Sequence, residues 1–262
     1  MLPYQARFER QVLRLLCTLS APQASSPTGR ELYRTRIWSG PLRGCSFAMP
    51  QLERISFALG TYERHIVRVL RQVLRPGDVA YDVGANAGYL SLVMARCTGP
   101  TGRVVAFEAD PRNAAVLTTN VALNNLRTIT IIPKAVSDAA GSVTFATFGY
   151  SLVGHIATAA TPPDAQLLTV PAVALDDLVF QGLLPAPRCI KIDVEGAEDR
   201  VIAGAARLIE QARPVIIAEV RPDALQGQIL PLLERLDYQA CELAGGWQLG
   251  KHRVGELLFT PR

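Results

Sequence analysis

The chain has 262 residues, a formal charge of +4, and 49% hydrophobic against 19% charged residues. That is enough chain for one large α/β domain with a sizeable core and short for two. Arginines are spread along it rather than gathered in runs, which argues against nucleic acid as a partner, and no apolar run reaches the roughly 18–20 residues needed to span a membrane.

The cysteines at 17, 45, 97, 189 and 241 form no C-x-x-C pair, and the histidines at 65, 155 and 252 have no ligand spacing. That usage reads as reduced thiols in a cytoplasmic protein, without a zinc site or a disulfide frame. Met1 to Ser20 is mildly basic, and Arg14 separates Val12-Leu13 from Leu15-Leu16. A secretory core would not carry that arginine. An amphipathic helix is expected, packed on the domain or a second subunit, with a surface anchor near membranes as the sharper alternative.

Residues 21–29 (APQASSPTG) read as a linker, and 30–60 hold short mixed segments without a placeable motif. Residues 1–60 are thus expected to form a helix-and-strand extension or cap, ahead of a main domain at 61–262. Tyr62 to Leu74 predicts an amphipathic helix with Ile66, Val67, Leu70, Val73 and Leu74 on one face. Arg75-Pro76-Gly77-Asp78 ends it. The apolar run 78–83 then reads as a buried strand, glycines at 84 and 88 as a turn, and 89–96 as a helix. A second apolar run, 104–107, ends on Glu108. This is a βαβ unit with an acid at the tip of its second strand.

Asp110-Pro111 signals a helix start, and the helix is placed at 113–124. Strands are expected at 128–132, 142–147 and 169–173, with 148–165 as an irregular segment where a substrate loop would lie. Cys189 to Asp193 reads as the fourth core strand, followed by one helix over 199–211. A fifth strand at 214–220 carries Glu219 near its end, a helix follows over 222–236, and 238–243 with 255–260 close the sheet as an antiparallel pair. The alternation argues for a doubly wound, mostly parallel sheet. Ligands of such sheets bind beyond the carboxyl ends of the strands, which places Asp82, Glu108, Asp193 and Glu219 around one crevice.

The glycine spacing is D-x-G-x-x-x-G, one glycine short of the dinucleotide fingerprint. Asp82 sets a negative charge beside the turn, which repels a pyrophosphate and favours a cation. S-adenosylmethionine, with its sulfonium and amino groups, fits that better than NAD; an NAD-binding oxidoreductase is the alternative. Gly84 permits a tight turn and close approach of a ligand, Gly88 lets the helix start pack near the strand, and Glu108 offers two acceptors to a ribose diol.

The segments YDVGANAGYLSL, VVAFEADPRNAAVLTTNVALNN, AVSDAAGSVTF, VALDDLV and CIKIDVEGAEDRVIAGAARLI followed by RPVIIAEV resemble, in order, the FkbM family of S-adenosylmethionine-dependent methyltransferases. The likeness covers roughly residues 60–220. It implies a class I methyltransferase (Rossmann-like) fold with a seven-stranded sheet, and O-methylation of a hydroxyl on a sugar, glycan or natural product. Where the family usually reads F-E-P, this chain has Ala109 after Glu108. Asp82, Gly84, Asn86 and Gly88 are expected to line the methionine part of the cofactor and Glu108 to hold its ribose, with Ala85, Tyr89 and Ala109 also cofactor-binding; by the resemblance Glu63, with Tyr62, would close over it. The segment 134–138 would reach the adenine.

Asp193 and Glu195 are the candidates for catalysis at the acceptor, because methyl transfer needs an aligned oxygen and a group to take its proton. Glu198 reads as a first-turn helix residue. Asp193 with Glu219 as oxygen ligands of a metal, and His155 as a base, are the minor alternatives; no metal is expected. An oligomer contact is the other role open to residues 1–60.

Overall fold

The computed structural model describes residues 32–49, 55–147, 154–157, 161–221, 225–243, 247–249 and 252–262. The expected helix at 1–20, the linker at 21–29 and the start of the helix placed at 222 lie outside them.

In chain order, β1 (Tyr33–Arg36) and β2 (Ser46–Met49) make a hairpin, followed by helices Ile55–Leu59 and Arg64–Val73. Next come β3 (Val79–Val83), helix Tyr89–Thr98, β4 (Arg103–Phe107), helix Pro111–Leu123, β5 (Ile129–Ile132) and β6 (Ala135–Val136). β7 (Gly141–Thr147), β8 (Gly154–Ile156) and β9 (Gln166–Val173) precede helix Leu175–Phe180 and β10 (Cys189–Ile192). Helices Glu198–Ala203 and Ala206–Ala212, then β11 (Val215–Val220), lead into a π-helical turn Leu225–Ile229 and helix Leu230–Arg235. β12 (Tyr238–Glu242), β13 (Trp247–Leu249) and β14 (His252–Pro261) end the chain.

The central sheet runs β12-β14-β11-β10-β3-β4-β5, with β13 paired to β14 off that path. The pairs from β11 to β5 are parallel, and β14 joins β11 and β12 antiparallel. Strands of such a sheet are covered on both faces and therefore read as continuous apolar runs. Alternation assigns the faces. Ala80, Val104, Ala106 and Ile217 pack toward helices Arg64–Val73 and Tyr89–Thr98, whereas Tyr81, Val105, Phe107, Ile190 and Ile216 pack toward the helices after β9 and β10.

Helix Pro111–Leu123 begins at the Asp110-Pro111 signal, with the Asp110 carboxylate accepting from the Arg112 amide at 2.8 Å. Its far end holds the β1–β2 hairpin by side-chain amides. Asn120, fully buried, accepts from Ala48 N and donates to the carbonyls of Ala48 and Ala87; Asn124 pairs with both backbone groups of Ser46. Two asparagines one helical turn apart thus stand in for a strand edge. Ile37, Leu42, Phe47 and Met49 of the hairpin region are buried in the core shared with helices Arg64–Val73 and Tyr89–Thr98.

The strands expected at 142–147 and 169–173, apart from the five core strands, form with β6 and β8 a separate sheet in the order β6-β9-β7-β8. The structure changes two expectations. Part of the irregular 148–165 segment is a strand, β8, pairing with β7. The single helix expected over 199–211 is two, broken at Gly204, where a Cβ would lie 2.1 Å from the Ser137 carbonyl oxygen. Among the described residues no helix is long and apolar enough to cross a membrane.

Candidate active site

A pocket open to solvent lies at the carboxyl ends of β3, β4 and β10. Val83, Gly84 and Asn86 border it at the glycine turn, Phe107, Glu108 and Ala109 after β4, and Asp193, Val194 and Glu195 after β10. Asn113 and the run Lys134, Ala135 and Val136 close one side, and Phe145, Gly154 and Ile156 of the smaller sheet add an apolar wall. His155 falls between two lining residues on a strand, so it faces the other way, with Nε2 3.3 Å from Thr161 Oγ1.

The turn is shaped by close approach. Gly84 has φ 76, and a Cβ on it would stand 1.8 Å from the Asp193 carbonyl oxygen. Its missing side chain thus lets the β3 and β10 tips meet, a tighter constraint than access for a ligand. Gly84→Ala meets backbone rather than a movable side chain. It should cost about 1–3 kcal/mol from the left-handed φ alone, and more from the contact, read as a lowered urea midpoint. Gly88, the N-cap of helix Tyr89–Thr98, has its nearest neighbour in Leu117 of helix Pro111–Leu123 rather than in the strand. Asn86 takes a left-handed φ of 52 and accepts from the Ala87 amide through its own Oδ1.

Glu108 lines the pocket at 5% exposure. Its Oε2 accepts from Asn86 N at 2.7 Å and its Oε1 from Asp110 N at 2.8 Å. Burial raises the carboxyl to about 7, against those two amide bonds. Each oxygen keeps a further lone pair for a ligand hydroxyl.

Asp82, Ala85, Gly88, Tyr89 and Glu63 were expected around the cofactor, yet none borders the pocket. Asp82 is fully buried beneath the turn, where it accepts from the Ser91 hydroxyl. Tyr89 is buried at the edge of Phe47 and among Phe57 and Tyr62. Glu63 N-caps helix Arg64–Val73 with φ 47.

Sequence reading missed Lys191. It is 4% exposed, donates to the Gly84 carbonyl at 2.9 Å, and lies 3.5 Å from Asp82 Oδ1 and 3.4 Å from Asp193 Oδ2. Burial alone favours the neutral amine, but Asp193 and Asp82 outweigh it and hold Lys191 protonated. The charge of Asp82 is therefore matched by an ammonium, so the acids that border the pocket are Asp193 and Glu195 after β10 and Glu108 after β4. The sequence carries half of the signal: Lys191 and Asp82 each interrupt an apolar run, and a buried charge needs a partner, but only the β10–β3 register makes the two neighbours.

Asp193 follows the last residue of β10, and Glu195 sits in the next turn with φ 59. Glu195 reaches solvent, but the protein around it, then Asp193 and Glu198, raise its carboxyl to about 7. Glu198, 2% exposed, opens the following helix and accepts from the amides of Val194 and Gly196. This carboxylate fixes the turn that carries Glu195. Among the described residues no group of three His, Cys, Asp or Glu side chains is arranged to hold a metal.

This sheet order, with its pocket over the parallel strand ends, is that of a class I methyltransferase. A solved structure of methyltransferase FkbM from Methylobacillus flagellatus superposes with a TM-score of 0.51 at 20% identity, covering 74% of this chain and 50% of that one. The model of the methyltransferase FkbM domain matches residues 82–240, and the chain belongs to that family. Among its relatives, hexuronic acid methyltransferase AglP of Haloferax volcanii is 27% identical over 159 residues, 59% of this chain and 61% of AglP. The 31-O-demethyl-FK506 methyltransferase FkbM of Streptomyces tacrolimicus is 29% identical over 211 residues, 70% of this chain and 78% of that protein. Membership leaves the oxidoreductase alternative without support.

Proposed function

We propose that the protein moves a methyl group from S-adenosylmethionine to a hydroxyl oxygen of a sugar, glycan or natural product. The observation that carries this is Glu108: a buried carboxylate, fixed by two backbone amides on the pocket edge, with acceptor capacity left for a ribose diol. The rest of the pocket fits the same donor. The apolar wall of Phe145 and Ile156 suits an adenine, and Asp193 and Glu195 face the opening with negative charge that suits a sulfonium. The two relatives, one named for a hexuronic acid and one for an oxygen of FK506, support oxygen as the acceptor atom.

The donor, when bound, supplies an electrophilic methyl group on a positively charged sulfur. The chain's own residues then have three tasks. Lys191 clamps the Gly84 carbonyl and Asp193 so that the turn and the β10 tip keep one geometry. Asp193, held beside that ammonium, accepts a hydrogen bond from a neighbouring hydroxyl of the acceptor and orients it. Glu195, titrating near neutrality, takes the hydroxyl proton as the carbon–oxygen bond forms.

Titration calorimetry with S-adenosylhomocysteine tests the donor assignment. Glu108→Ala should weaken binding by about 1–3 kcal/mol. An unchanged affinity would remove Glu108 from the site, and no binding to the unaltered protein would reject the donor.

A further inference from the structure

Five carboxylates gather over the ends of β10 and β11 and the adjoining part of β14. Asp193 and Glu195 border the donor pocket. Glu219, near the end of β11, has Glu256 of β14 as its register partner. Glu63, at the start of helix Arg64–Val73, lies beside Glu256. Glu63, Glu219 and Glu256 do not border the donor pocket, so the row of acids continues past it across the sheet.

Glu256 makes this more than a row of acids. It is 7% exposed, and its Oε2 is buried without a hydrogen-bond partner among the described residues. A buried carboxylate oxygen in that state calls for a donor or a cation from outside the fold. The nearby positive charges are engaged elsewhere: Lys191 by Asp82, Asp193 and the Gly84 carbonyl, and Arg221 against the Gly196 carbonyl at 3.3 Å.

We propose that this acidic end selects the acceptor by charge: the substrate is a hydroxyl compound that also carries an ammonium group, which pairs with Glu219 and Glu256 while its hydroxyl meets Asp193 and Glu195. The inference rests on the methyl-transfer reading and narrows its substrate class. A hexuronic acid, the substrate in the name of one relative, would bring a further carboxylate into this surface and be repelled. Burial first, then the neighbouring acids, raise Glu219 to about 8 and Glu256 to about 7. An entering ammonium reverses that and expels protons.

The test uses the protein saturated with S-adenosylhomocysteine at pH 7 and three probes of one skeleton: a 2-amino-2-deoxyhexose, the neutral hexose and the hexuronic acid. The amino sugar should bind about ten-fold or more tighter than the hexose, with proton release seen as a buffer-dependent binding enthalpy, and the hexuronic acid should bind weakest. Glu256→Gln, or Glu219→Gln at the more exposed position, should erase that order and leave the affinity for S-adenosylhomocysteine unchanged. Equal binding of the three probes, no binding of any, or the reverse order overturns the proposal. It also falls if either variant weakens S-adenosylhomocysteine and keeps the sugar order, which would give these acids to the donor. Tight binding of Mg²⁺ alone that is lost in Glu219→Gln would make the cluster a metal site and overturn it too. Failure of the unaltered protein to bind S-adenosylhomocysteine is a separate result, which removes the methyl-transfer reading itself.

Discussion

Replacing Lys191 with methionine should lower stability by about 3–5 kcal/mol, the usual cost of removing one partner from a buried ion pair. The methionine fills a similar volume, so the loss is electrostatic. Asp82 would be left fully buried, with the Ser91 hydroxyl on Oδ2 and nothing to match its charge, since its Oδ1 makes no hydrogen bond. The Gly84 carbonyl would lose its donor at the same time. Lys191→Met with Asp82→Asn should recover much of the stability, because it removes the stranded charge. It should not recover affinity for S-adenosylhomocysteine, because the Gly84 carbonyl and Asp193 stay unclamped. Urea unfolding of the four proteins of that cycle, with calorimetry on each, separates the two effects. A single variant within about 1 kcal/mol of the unaltered protein would show the pair to be weakly coupled.

That pair also shows what was legible in the sequence. The βαβ unit, the five parallel strands and the Asp110-Pro111 helix start were readable because each depends on neighbours within a few residues. What escaped depends on distant partners. Lys191 takes its meaning from Asp82, more than a hundred residues earlier and adjacent only through the β10–β3 register. The break after Ala203 depends on Asp176, whose carboxylate accepts from the amides of Arg207 and Leu208 and so caps a second helix. β7 and β9 read as strands, but nothing local says that they pair with each other rather than with β5. Their mutual pairing builds the smaller sheet and with it the apolar wall of the pocket. The residues expected at the cofactor divide the same way. Glu108, Gly84 and Asn86 border the pocket, while Asp82 and Tyr89 come from the same motif and support it from beneath.

Glu195→Gln should lower kcat by about 10²–10⁴-fold, the usual worth of a positioned proton acceptor, and change the affinity for S-adenosylhomocysteine little. Glutamine keeps the shape of the side chain and its left-handed backbone, so the fold is preserved. In the unaltered protein kcat/KM should rise with pH through about 7, as Glu195 loses its proton, and the variant should lose that limb. A retained limb would move the role to another group. Stability should run the opposite way. Glu195, Glu219 and Glu256 are raised from an ordinary 4.5 to about 7, 8 and 7, burial being the largest cause for each. Between 4.5 and those values the folded state holds more protons than the unfolded chain. Their stabilising contribution is complete below 4.5 and is lost as pH rises through 7 to 8. The Tm without ligand should therefore fall from pH 5 to 8.5, and Glu219→Gln should flatten the decline, Glu195 weighing less because solvent screens it. Glu195, which activity needs deprotonated, is among the acids the empty fold prefers protonated. A sulfonium beside it in the pocket should reconcile the two, so added S-adenosylmethionine should raise Tm more at pH 8 than at pH 5. An equal rise at both would separate the donor from Glu195.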